Sequence, residues 1–206
     1  MSGILDILSQ QLGGDAIRQM SRQLGADEGA TQSAIAGALP VLIGALSKNA
    51  AKPGGADALS SALERDHDGS VLDHLGAVLG GSGGGGLSQR SLNGTGILGH
   101  ILGGERSDVE ASLGRAAGLD AGSAGKLLAM LAPLVMGALG RTQRQQGLDS
   151  GGLADLLNGE RRRARAAAPS GLGGLVGSFL DQDGDGDYKD DVAKMGMGML
   201  GKLFKG

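Results

Sequence analysis

The residues with the most evident chemical potential stand near the C-terminus, at Asp181, Asp183, Asp185, Gly186, Asp187 and Asp190. Carboxylates at positions 1, 3 and 5 of a loop, with Gly at 6, reproduce the first half of an EF-hand calcium loop. Alternate residues of a tight turn aim their oxygens inward, the glycine allows the bend, and a hard cation offsets the carboxylate repulsion. Asp187 at position 7 offers its carbonyl. Two departures stand out: Tyr188 occupies position 8, and Val192 replaces the bidentate Glu at position 12. Asp190 or Asp191 would close a shortened loop. Asp181, Asp183, Asp185, Asp187 and Asp190 are therefore the expected metal ligands, and calcium the expected cofactor. The competing reading is a solvated acidic turn that caps a helix. The run Asp187–Asp191 also matches an epitope-tag fragment, but it falls within the Asp/Gly register.

A weaker version of the same spacing occurs at Glu64, Asp66, Asp68, Gly69, Val71 and Asp73. Here the preferred reading is structural, with Asp68 and Ser70 capping a helix that starts near Val71. His67, His74 and His100 lack the fixed pairing that a transition-metal site requires. Arg161, Arg162, Arg163 and Arg165 could meet anionic lipid or nucleic acid, but without neighbouring aromatics they read better as a solvated tether. The terminal Met195, Met197, Met199, Leu200, Leu203 and Phe204 are expected to pack back onto Phe179.

These candidates must be positioned by an unusual chain. Of 206 residues 42 are Gly, and the three aromatics, Phe179, Tyr188 and Phe204, all lie in the last 28 positions. Any core before them is aliphatic. There is no Cys, which excludes a disulfide framework, a zinc ribbon and a thiol nucleophile. A net charge of −3 argues against a general nucleic-acid footprint. The N-terminus lacks the basic segment of a classical signal peptide, favouring the cytoplasm, although calcium availability points outside it.

The chain matches itself at an offset of 93 without gaps: Gly3-Ile4-Leu5 on Gly96-Ile97-Leu98, Arg22 on Arg115, Asp27 on Asp120, Pro40 on Pro133. Two copies are read, about 3–65 and 96–158. Each centres on thirteen residues without a polar side chain, Ala34–Leu46 and Leu127–Leu139. Thirteen helical residues span about 20 Å, short of a bilayer's roughly 30 Å, so each reads as a buried core helix kinked at its proline. Asp27 and Asp120 are the expected N-caps. No stretch alternates with period two, so the class is all-α. The expected organisation is a first helical repeat at 1–79 and a Gly-rich linker at 80–94. A second repeat at 95–158 and an Arg/Ala-rich linker at 159–170 follow. A helix–loop–helix module occupies 171–206.

The Gly-rich N-terminus, the Ala-rich central helix with its inner proline, Asp-His-Asp-Gly-Ser (66–70) and Gly-Ile-Leu-Gly-His-Ile-Leu-Gly (96–103) together resemble a bacterial family. It is domain of unknown function nine-three-seven, a relative of the YidB-like helical proteins. The resemblance implies an all-helical fold and supplies no catalytic residues. No Ser/His/Asp set, phosphate loop or metal-hydrolase signature is present, so no enzyme is expected. The expected function is that of a non-enzymatic helical scaffold or interaction protein with a calcium-binding C-terminal loop. Its partner would be another protein or a second copy, not nucleic acid. A membrane-surface protein using Gly-rich amphipathic helices is the alternative, and an enzyme of unknown type the weakest reading.

Overall fold

The computed structural model describes residues 3–80 and 87–167. Among these, every regular element is helical, as the absence of period-two patterning predicts. α1 (Ile4–Gln11), α2 (Gly14–Leu24) and α3 (Glu28–Ala50) lead to α4 (Gly55–Asp66), then the short α5 (Ser70–Asp73) and α6 (Leu75–Leu79). α7 (Gln89–Leu92), α8 (Gly94–Leu102), a 3-10 turn (Gly103–Glu105), α9 (Arg106–Ala117), α10 (Ala121–Gln146) and α11 (Ser150–Ala167) complete the described chain. Shifted by 93 positions, α2 and α3 would start at 107 and 121, within a residue of the observed starts of α9 and α10.

The matched residues play matched parts. Asp27 accepts a hydrogen bond from the Ala30 amide, and Asp120 from the Ser123 amide, both at 2.9 Å. Each satisfies one of the free donors at a helix start, the expected capping role. Gly25 and Gly118 end α2 and α9 at φ 65° and 73°, a left-handed conformation that glycine adopts without a Cβ penalty.

α3 and α10 form the centre. Every residue of Gly37–Ser47 and of Leu131–Gly140 is buried. A helix that is apolar on all faces must be enclosed, and these two enclose each other with the surrounding shell. Both are long and apolar enough to cross a bilayer, and most of each apolar window, 72% and 78%, is buried inside the protein. Buried residues from both sides of the Gly-rich stretch belong to one continuous core, from Ile4 and Met20 through Leu42 to Leu98, Leu113, Leu131 and Leu157.

Both central helices run on through their prolines. Pro133 has no N–H, so the Ala129 carbonyl four residues earlier loses its helical partner. Gly94 meets that carbonyl. A Cβ there would lie 1.8 Å from the oxygen, so one of its Cα hydrogens points at it instead. The glycine thus lets α8 start directly on α10.

The expected linkers are partly helical. Residues 89–92 form α7 inside the Gly-rich stretch, and residues 159–167 continue α11 rather than forming a tether. The physical reason is burial: Ala164 and Glu160 are each 1% exposed, so this face of α11 is anchored.

Candidate functional site

The calcium-loop residues Asp181, Asp183, Asp185, Asp187 and Asp190 lie outside the described residues, as do Phe179 and the Met-rich terminus. The weaker acidic set is described, and its members are engaged separately. Glu64 accepts from the Ser60 hydroxyl, Asp68 from the amide and hydroxyl of Ser70, and Asp73 pairs with Arg141 at 2.7 Å. The Ser70 bonds hold the Asp68 carboxyl below its ordinary range. Asp68 therefore organises the turn into α5, and no group of three metal-type side chains converges among the described residues.

What the fold does build is a groove of about 500 Å³ between α4 and α8. One face of α4 (Gly55, Ala58, Leu59, Ala62) opposes one face of α8 (Gly96, Ile97, His100, Ile101), over a floor containing Leu46 of α3 and Met136 of α10. The size lies within the range of small-ligand sites. The small side chains of Ala58 and Ala62 leave the trough wide, while a Cβ at Gly55 would stand 1.9 Å from the Asn49 carbonyl oxygen.

Each end is fixed by polar bonds. At one, Asn49 donates to the carbonyls of His100 and Ile101, at 3.2 and 2.8 Å, tying α3 to the end of α8. At the other, the Ser91 hydroxyl donates to the Asp66 carbonyl at 2.7 Å, tying α7 to the end of α4. Asn93 caps α8 by accepting from the Gly96 amide at 2.9 Å. Glycine sets the depth. A Cβ at Gly140 of α10 would stand 1.9 Å from the His67 carbonyl oxygen, so His67 presses onto α10 only because residue 140 has no side chain.

The second end carries the charge. Arg65, Asp66, His67, Arg90 and Asn93 line it. Arg65 donates to the Ser61 carbonyl, and neither Arg65 nor Arg90 joins an ion pair among the described residues. His67 is only 6% exposed, and its Nδ1 is buried without a hydrogen-bond partner. Burial pushes its pKa down, against the upward pull of Asp66 and Asp68, so the ring is neutral at neutral pH.

At the offset of 93, His67 falls on Glu160 and Gly96 on Gly3. Glu160 is fully buried and fully engaged: it accepts from the Leu5 amide of α1 at 3.3 Å and from Arg163 at 2.7 Å. A Cβ at Gly3 would lie 2.5 Å from its Oε1. The junction of α11 with α1 is therefore sealed by an internal carboxylate. The junction of α4 with α8 holds a cavity in the corresponding place.

Sequence reasoning did not bring α4 and α8 together, because they lie on opposite sides of the Gly-rich stretch. It did flag His67 and His100, which line the same groove from opposite ends; His74 does not line it. The overlooked signal was the pairing of His67 with Glu160 at the repeat offset. The Arg161–Arg165 run lies on α11, where Arg163 holds Glu160.

Comparisons with curated proteins and with solved structures return no match. The family model for a bacterial protein of unknown function, DUF937, matches residues 6–142, a span that contains every lining residue of the groove. The chain belongs to that bacterial family of unknown function.

Proposed function

We propose that this protein acts by binding rather than by catalysis, as a non-enzymatic helical scaffold whose working surface is the α4–α8 groove. The observation that carries this reading is an apolar trough of about 500 Å³ with an unneutralised cationic end, built on the shared core. Its polar wall groups Asn49 and Asn93 are spent on holding helices in place, which suits a receptor surface better than a reaction centre. The matching helix starts and caps support a tandem duplication whose α4–α8 junction holds an opening.

The test is photo-crosslinking in cells with a reactive residue at position 62, on the groove, or at Asp155, its exposed offset counterpart on α11. Adducts at 62 that Ala58→Trp removes support the reading. Equal labelling at both positions overturns it.

The C-terminal loop is proposed to bind calcium through Asp181, Asp183, Asp185, Asp187 and Asp190, on the strength of the Asp/Gly alternation alone. Calorimetric titration with calcium should give a saturable isotherm that Asp183→Ala/Asp185→Ala abolishes. An isotherm unchanged by that double substitution would sink the site.

A further inference from the structure

The occupant of the groove can be narrowed by its chemistry, an inference that rests on the binding role proposed above. Three observations converge at the α7 end of the trough. Among the lining residues of this end, two guanidiniums, Arg65 and Arg90, outnumber one carboxylate, Asp66, beside a neutral His67 that Asp68 also approaches from outside the lining. His67, part of the cavity wall, keeps a buried nitrogen without a partner. A buried polar atom left unsatisfied is costly, so a ligand hydroxyl or carboxyl that reaches it on a small movement of the ring gains by pairing with it. At the corresponding place in the other copy, a carboxylate is already present: Glu160 sits over Gly3 and binds the Leu5 amide and Arg163.

Beyond this end the walls turn apolar. Between Arg65 and Gly55 the α4 face runs about 15 Å at the helical rise, past Ala62, Leu59 and Ala58, with Ile97 and Ile101 opposite. A ligand fitting this surface has one negative charge at one end and a narrow, flexible hydrocarbon body. With Asp66 and Asp68 close by, a single carboxylate suits this end better than a dianionic phosphate, and a cationic head would meet two guanidiniums.

We propose that the α4–α8 groove is a binding site for an amphiphilic monocarboxylate of the medium-chain fatty-acid class. Its carboxylate lies between Arg65 and Arg90, within reach of His67, taking the part that Glu160 plays at the other junction. Its chain lies along Ala62, Leu59 and Ile97 toward His100.

The test is a methyl-NMR titration of the full chain with decanoate and decyltrimethylammonium below their micelle thresholds and 1-decanol below its solubility limit. Decanoate should shift the methyl signals of Leu59, Ile97, Ile101 and Met136 saturably. Arg65→Gln and Arg90→Gln should each weaken decanoate about fivefold, in keeping with exposed charge pairs, and leave decanol unchanged. Ala58→Trp, on an exposed position of the trough wall, should abolish both while leaving the spectrum folded. Equal affinity for decanol and decanoate in the unaltered chain, or indifference of decanoate to both arginine substitutions, overturns the proposal. If decanoate causes no shift while position 62 still crosslinks a protein, the ligand class fails and the binding groove stands. If neither occurs, both fail.

Discussion

The two helix junctions that the 93-residue offset relates have been finished differently. Where α11 meets α1, Glu160 is buried, bonded to the Leu5 amide and paired with Arg163. Where α4 faces α8, the matching residue is His67, its Nδ1 unpartnered, beside an open trough. The first junction spends its polar group on the fold. The second leaves one without a partner, at a cost to stability. The chain thus carries a carboxylate-filled junction and an open groove at positions related by the offset.

The sharpest way to break the comparison is at the close contact that positions His67. Gly140 of α10 corresponds to Ser47 of α3. Gly140→Ser would place a Cβ 1.9 Å from a backbone oxygen, and we expect a loss of about 3 kcal/mol. The reciprocal Ser47→Gly removes one hydrogen bond, to Asn158, and adds a helical glycine, for a loss of about 1–2 kcal/mol. Urea unfolding of both measures the difference; equal losses would show that the two helices are packed alike.

Next in size is the seal. Glu160→Leu leaves the Leu5 amide without its acceptor, and stability should fall by about 2 kcal/mol. His67→Leu, by contrast, removes a group with an unsatisfied buried atom, so its unfolding midpoint should stay within about 1 kcal/mol of the unaltered chain or rise. A large loss in His67→Leu would mean that its nitrogen has a structural partner.

The smallest effect is the dependence on pH. Burial holds the folded His67 pKa below its ordinary 6.5, so the unfolded chain takes up the proton more readily. The corresponding stability is complete above about pH 6.5 and declines as pH falls below it. His67→Leu should flatten thermal stability between roughly pH 7 and 5. Lower still, Asp68 and Asp120, held down by bonds from Ser70 and Ser123, lose their contribution in both chains. A slope between pH 7 and 5 that survives in His67→Leu would exclude the histidine as its source.

The fold was legible where local signals dominate. The apolar runs at Ala34–Leu46 and Leu127–Leu139, and the caps Asp27 and Asp120, identify the two central helices without tertiary information. The extent of α11 was not legible, because Arg161–Arg165 reads as a solvated run until Glu160 and Ala164 are seen to be buried. Nor was the groove, since its walls lie far apart in the chain and its width depends on the small side chains of Ala58 and Ala62. Such residues register in sequence as low complexity, and as space only after packing.

Native mass spectrometry of the chain purified from cells under non-denaturing conditions tests the central claim most directly. The account predicts a bound small molecule on the unaltered protein that persists in Glu160→Gln and is missing from Ala58→Trp. A protein that emerges without an adduct, or an adduct that Ala58→Trp retains, would contradict it.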